Sequence, residues 1–287
     1  MPVAMLNERK VLKIAGEDAA HFLHNLLTCD VEAITPEKPG FGALLTPQGK
    51  IIADMFVIAL SQDDGGGFLL DVNAGPAPEV LRKLSLFRLR SKVTISDISD
   101  GVSVLALWGG DKLKSDVALV IADPRLAAMG FRAIVPGDEM LRHINTTPQS
   151  YHDHRIALGV PDGGKDFAYG DAFPHEALMD QLHGVSFSKG CYVGQEVVSR
   201  MQHRGTARTR IIPVRFHDGF SPEWGVVAMA GDKPLGLVGS SAHGRGLAML
   251  RLDRVGDAIA AGQTMLGGGI PFMPERESWM DFPVPGT

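Results

Sequence analysis

Cysteine is nearly absent: Cys29 and Cys191 are the only two in 287 residues. Two thiols so far apart build neither a disulfide framework nor a self-contained four-cysteine metal site. Long apolar runs are also missing. Stretches such as Val102 to Trp108 are cut by Gly109, Gly110 and Asp111, far short of the ~18 residues that cross a bilayer. Integral insertion is excluded, and no membrane partner is expected. The N-terminus sets Glu8, Arg9 and Lys10 before a short apolar patch and lacks the pattern of a secretory signal, so a cytoplasmic location is expected. There is no excess of positive charge either: a net charge of -5 argues against coating nucleic acid by bulk attraction.

What the chain does have is an ordinary folded composition, 45% hydrophobic and 21% charged, too apolar for disorder. Its length suits two compact units at ~150 residues each. Glycine and proline, 34 and 18 residues, exceed the usual ~12% and predict many turns. Charge is uneven along the chain. From Ser186 to Arg215 six basic residues face one acid, Glu196, and Leu81 to Lys92 carries Arg82, Lys83, Arg88, Arg90 and Lys92 with no acid. Each run is either a solvated face or an anion site, for a cofactor carboxylate or a phosphate backbone.

The hydrophobic pattern predicts a strand at Val11 to Ile14 and a helix from Asp18, with Asp18 as its cap and Phe22, Leu23, Leu26 and Leu27 on one side. Strands follow at Phe41 to Leu45, Ile51 to Leu60 and Phe68 to Val72. A helix at Pro78 to Arg90 turns Val80, Leu84 and Phe87 inward, and a strand resumes at Val93. This order suggests a split, ferredoxin-like α+β unit. A second, fainter unit has strands near Val102, Leu119 and Phe131 and helices near Lys112 and Tyr151. From Arg208 the pattern changes to short strands punctuated by glycine, which predicts a β-barrel. The expected domains are 1–205, two interleaved α/β subdomains, and 206–287, the barrel.

The chemistry concentrates in Lys189-Gly190-Cys191-Tyr192-Val193-Gly194-Gln195-Glu196. Two glycines around a cysteine permit a tight path with positive φ and leave the thiol unscreened. Lys189 and a helix starting just after Cys191 would set positive potential beside the sulfur. The alternative is that Cys191 is a small hydrophobe wedged under Tyr192; Cys29, at the end of an amphipathic helix, reads as a small buried hydrophobe. The histidine sets His152/His154 and His21/His24 lack a zinc spacing and read as structural or surface residues.

The eight-residue string, with Gly184-Val185-Ser186-Phe187 before it and Arg200 and Arg204-Gly205 after it, resembles the signature of the YgfZ family. These are folate-binding relatives of the glycine-cleavage T-protein and include a mitochondrial factor of [4Fe-4S] cluster assembly, which Tyr151 to Arg155, Gly159-Val160-Pro161 and Pro213 to Phe216 also resemble. Leu44-Leu45-Thr46-Pro47-Gln48-Gly49-Lys50 is similar as well. The resemblance implies a T-protein-like cloverleaf with a C-terminal β-barrel, and tetrahydrofolate or a related folate as cofactor. Asn73 matches a pterin-contacting asparagine, though it also reads as a turn former before Gly75-Pro76. Lys189, Tyr192, Gln195, Glu196 and Arg200 are the further candidates for the cofactor, and Cys191 and Asp54 for catalysis. T-proteins carry adjacent aspartates where this chain has Ala53-Asp54, and a pterin-binding glutamate where it has Ala157, so glycine cleavage is not expected. Asp54 reads alternatively as a strand residue facing solvent. Three functions follow: an accessory protein for iron-sulfur assembly or repair, acting with assembly proteins or apo-enzymes; a tetrahydrofolate-dependent one-carbon transferase; and a tRNA-modification factor.

Overall fold

Alternating apolar residues set the strands, and helices cover one sheet face. The computed structural model describes residues 1–113, 115, 118–137, 141–205 and 207–287. Its first part runs β1 (Val3–Met5), β2 (Arg9–Ala15), α1 (Ala19–His24), β3 (Gly40–Leu45), β4 (Ile51–Ala59), β5 (Phe68–Asn73), α2 (Ala77–Arg88), β6 (Thr94–Asp97), β7 (Val102–Leu107), β8 (Leu119–Ala122), β9 (Phe131–Pro136) and α3 (Pro148–Ala157). After a long irregular stretch come α4 (Gln195–Arg204), β10 (Thr209–Phe216), β11 (Val227–Ala230), β12 (Lys233–Ala242), β13 (Arg245–Arg251), α5 (Leu252–Ala260), β14 (Met265–Gly267) and β15 (Ile270–Pro274). The helix expected near Lys112 falls partly outside the described residues; Asp111 to Leu113 are irregular. The expected domain division at 205/206 meets residue 206, also outside them.

The chain separates into two units, residues 1–151 with 182–197 and residues 152–181 with 198–287. The first holds a five-stranded antiparallel sheet, order β3-β4-β5-β2-β6, and a four-stranded one, order β1-β7-β9-β8. One face of the larger sheet is apolar: Ala53, Met55 and Val57 of β4 and Leu70 and Val72 of β5 pack with Phe22 and Leu23 of α1 and Val80 and Leu84 of α2. Two helix details differ from expectation. Asp18 makes no capping bond to α1 and instead accepts from the Lys92 amide at 2.6 Å. Phe87 is 37% exposed, because α2 extends beyond what it covers: after Leu84 no residue is buried until Val93.

Side chains alternate along a strand, so the opposite face of this sheet takes Asp54 and Phe56 of β4 and Asp71 and Asn73 of β5. Here a buried charge network forms. Asp71, wholly buried, accepts from Arg9 Nε at 2.6 Å and from Arg132 at 3.0 Å. Arg132 and Arg125 both donate to the Tyr151 hydroxyl at 3.0 Å, and Arg125 also grips Asp123 at 3.0 and 2.8 Å. The guanidinium groups of Arg125 and Arg132 lie 4.9 and 4.6 Å from the centre of the Phe56 ring, so cation–π attraction adds to the ion pairing. The network ties the two sheets of the first unit together.

In the second unit the strands close into a barrel, order β10-β13-β12-β11-β14-β15, with Phe216 and Phe272 packed 5.8 Å apart. The barrel anticipated from the glycine-punctuated tail is present, joined by α5, which the sequence reading missed. Arg155 of α3 is buried; it donates to Asp166 at 2.5 Å, to Ser240 Oγ at 2.6 Å and to His152 Nδ1 at 3.0 Å. The Tyr151-to-Arg155 motif is thus structural at both ends.

Asp71→Ala removes the carboxylate that buried Arg132 and half-buried Arg9 share, so it is expected to cost about 3–5 kcal/mol. The midpoint of urea unfolding measures the loss.

Candidate functional site

The motif loop is fixed to the first unit at three places. Thr28, fully buried, donates its hydroxyl to Gly184 O at 2.5 Å and accepts from the Ala43 amide at 2.8 Å, while Ser186 N donates to Thr28 O at 2.9 Å. This holds the entry to the loop against the segment joining α1 to β3.

Lys189 is the second anchor. It is buried, and its ammonium donates to three backbone carbonyls at and beyond the end of α1: His24, Leu27 at 2.7 Å and Cys29 at 3.0 Å. A helix leaves its last carbonyls without partners, and here one side chain answers them. The Tyr192 ring lies beneath, 5.0 Å from Nζ. Burial holds the lysine pKa below its usual range, against the opposing pull of Cys29, Asp30 and Glu32. Burial likewise pushes the Tyr192 hydroxyl up to about 12 and the Cys29 thiol up to about 12.

Gly194 is the third anchor. It has φ +82°, and a Cβ there would stand 2.5 Å from Thr46 O and 3.1 Å from Gly49 Cα. Gly49, at φ +81°, faces it in return, its own Cβ position 3.0 Å from Val197. The two sequence motifs, 189 to 196 and 44 to 50, are therefore two sides of one backbone contact. Gly190 is different: its φ is ordinary, and a Cβ would meet only His24 Nε2, at 4.0 Å.

Between the second and third anchors Cys191 is exposed, whereas Cys29 is buried. Presentation of the thiol, rather than wedging under Tyr192, is what the fold delivers. Two parts of the expected setting are corrected. Lys189 turns its charge to carbonyls with all three donors engaged, so it offers none to an anion. The following helix, α4, begins at Gln195, four residues past the cysteine. Tyr192 is core, Gln195 half-buried, and Glu196 and Arg200 exposed. Glu196 lies in the first unit and Arg200 in the second.

Asp54 and Asn73 stand apart from this loop in sequence but share the polar sheet face with Asp71. Asp54 is buried, which corrects the alternative of a solvent-facing strand residue. Asn73 Oδ1 accepts from the Gly75 amide at 2.9 Å, so the turn-forming role is real. Ala53, by contrast, belongs to the apolar core on the helix side. The alanine in place of the first aspartate therefore leaves the polar face with its carboxylate, Asp54. Arg9, Asp71, Arg125 and Arg132 were not singled out from sequence, and Tyr151 only as part of a family motif; the signal was an aspartate amid the apolar run Phe68 to Val72, which must find a partner when buried. Among the described residues no cluster of three or more His, Cys, Asp or Glu could hold a metal ion.

Comparison with known proteins fits these features. Residues 6–135 match the GCVT N-terminal domain, and residues 208–282 match the CAF17 C-terminal beta-barrel domain. The chain is 33% identical over 290 residues to the mitochondrial iron-sulfur cluster assembly factor IBA57 homolog of Pyricularia oryzae, covering 90% of this chain and 74% of that protein. It is 32% identical over 285 residues to mitochondrial iron-sulfur cluster assembly factor IBA57 of Homo sapiens, covering 87% and 77%. The crystal structure of glycine cleavage system aminomethyltransferase T from Bartonella henselae superposes with a TM-score of 0.76 at 14% identity, over 98% of this chain and 86% of that one; at that identity it shows the fold. The cytoplasmic expectation is corrected: these relatives are named mitochondrial. Two distant cysteines carry no address, so they never singled out the cytosol.

The two motif glycines are expected to respond differently. Gly194→Ala meets the Thr46 carbonyl in a left-handed conformation and should destabilise by more than about 1–2 kcal/mol. Gly190→Ala should stay within about 0.5 kcal/mol, both read from denaturant unfolding.

Proposed function

This chain belongs to the IBA57 family of iron-sulfur cluster assembly factors, with a GCVT-like N-terminal domain and a CAF17-type barrel, and from that premise we propose that it assists iron-sulfur assembly through the thiol of Cys191. One observation carries this reading: an exposed cysteine held between a buried lysine clamp and a glycine packed on backbone. A single thiolate cannot hold a cluster, since such clusters take four protein ligands. Cys191 therefore supplies one ligand, or one redox thiol, in a complex whose remaining ligands come from an assembly protein or apo-enzyme. Cys29, buried and hard to ionise, takes no part.

The polar sheet face is the proposed seat of a folate. The aminomethyltransferase T fold supports the class of ligand, and the residues suit it: the Asn73 amide donates and accepts in one plane, and Asp54 adds a buried carboxylate on the same face. Lys189 and Tyr192 drop out of the cofactor set because both are engaged in the core; Gln195 and Glu196 stay in it as proposals, and Arg200, which belongs to the second unit, is not assigned to this face. Asp54 keeps the one-carbon transferase as a second reading, tested by loss of folate-dependent turnover in Asp54→Asn. The tRNA reading loses support, because the basic run surrenders Lys189, and the one aromatic between Lys189 and Arg215, Tyr192, is buried and offers no stacking platform.

Cys191→Ser is expected to leave a strain lacking its own factor deficient in [4Fe-4S] enzyme activity, while Cys29→Ser, if folded, restores it; full rescue by Cys191→Ser removes the thiol from the mechanism. Calorimetry with tetrahydrofolate should show binding to the wild type that weakens about tenfold in Asn73→Ala, the effect of one lost hydrogen bond in a shielded site. Absence of wild-type binding rejects the folate.

A further inference from the structure

The end of α2 serves neither the sheet it covers nor the loop that carries Cys191. Every residue from Ser85 to Arg90 is exposed, and three of the six are large and apolar: Leu86 at 59%, Phe87 at 37% and Leu89 at 87%. Packing does not account for them, since Val80 and Leu84 already fill the inward side of the helix. Leu89 is the most telling. It follows the last helical residue at φ +43°, a position where helices ordinarily place glycine or asparagine. A leucine there accepts backbone strain and gives its side chain to water, so folding alone would not select it.

Charge marks the same place. Arg88 and Arg90 alternate with the apolar residues, and no acid occurs between Leu81 and Lys92. Arg82 and Lys83 are held by Glu79, and Lys92 by Glu17; among the described residues neither Arg88 nor Arg90 makes an ion pair. Beside the tip a shallow groove of about 760 Å³ runs between Phe22, Phe87 and Leu89, with His21, Arg90 and Asp18, whose carboxylate accepts from the Lys92 amide, at its edge.

We infer that this tip is a peripheral membrane contact: Leu86, Phe87 and Leu89 enter the acyl boundary of an anionic phospholipid bilayer while Arg88 and Arg90 meet its phosphates. Apolar side chains beside unpaired arginines are what such a surface selects, hydrocarbon below and negative charge above. A nucleic acid would answer the arginines but leave two aliphatic leucines unmatched, with Phe87 the only ring to stack. The expectation of no membrane partner rested on the missing spanning run. No helix of the described residues is long and apolar enough to cross, and a surface contact needs none.

The test is flotation of the full chain with vesicles of phosphatidylcholine alone and of phosphatidylcholine mixed two to one with phosphatidylglycerol. Binding is expected only to the anionic vesicles and weakens as salt rises. Arg88→Gln/Arg90→Gln should lower partitioning about 30-fold, at about fivefold for each arginine near such a surface. Leu89→Gly should also lower it while leaving the unfolding midpoint unchanged or higher, because glycine suits the left-handed position. The proposal is overturned by wild type that stays with neither vesicle, by equal binding to both, or by variants that float undiminished. A tip that instead docks an acidic protein gives the first of these results.

Discussion

Three carbonyls at the end of a six-residue helix converge on one buried ammonium, and the placement of the exposed thiol depends on that convergence. A helix as short as α1 cannot bond its own last carbonyls, and glycine capping is absent where the chain continues through Asn25, Leu26 and Leu27. Lysine suits the position because its three protons diverge from one point, whereas arginine's planar fork would reach at most two of the acceptors well. The clamp joins residue 189 to residues 24, 27 and 29 across more than half the chain. Cys191 is two residues further on and cannot fold back into the core while Lys189 and Tyr192 fill it. Exposure of the sulfur thus follows from burial of its neighbours. The Gly194–Gly49 contact closes the far side of the loop, so the thiol sits on backbone held at both ends.

Two of the buried charges in the first unit are balanced by different means. Lys189 is balanced by carbonyl dipoles, and among the described residues no carboxylate is bonded to it. Asp71 is balanced by Arg9 and Arg132, and the surplus cation spreads over Phe56 and Tyr151. Neither arrangement is a cheap source of stability, since desolvating ions offsets most of their attraction. Each is directional, however, and joins parts of the chain that apolar packing would leave free to slide. The arginine network also sets the character of the sheet face on which Asp54 and Asn73 lie. A small polar ligand there would meet preorganised groups instead of ordering loose ones.

Strand periodicity made the α/β half and the barrel legible, because alternation survives in any sheet with one covered face. Irregular loops carry no such period. The sequence therefore placed Lys189 beside Cys191 and read its charge as support for the sulfur, when three-dimensional packing turns it the other way. The same blindness hid which glycine matters: Gly190 and Gly194 flank the cysteine alike in sequence, yet only Gly194 meets backbone. Asp71 was readable in principle, since a carboxylate in an apolar strand implies a buried cation, but the arginines that answer it come from 61 or more residues away. The helix α5 escaped notice because Gly256 interrupts Leu252, Val255 and Ile259, a spacing that otherwise marks a helical face.

A lone exposed thiol carries a requirement with it. Clusters need several ligands, and this chain offers one exposed cysteine. On the assembly reading the coordinating site exists only in a complex. Forming that complex has an entropic cost that falls when the contributed ligand is already fixed in place. The two anchors around Cys191 supply that fixity without enclosing the sulfur. A cysteine on a free loop would be equally accessible but would have to be ordered at each encounter, and one buried in the core, like Cys29, would be ordered but unreachable. Between those limits, a loop pinned at Lys189 and Gly194 and open between them is the geometry that shared, transient ligation calls for.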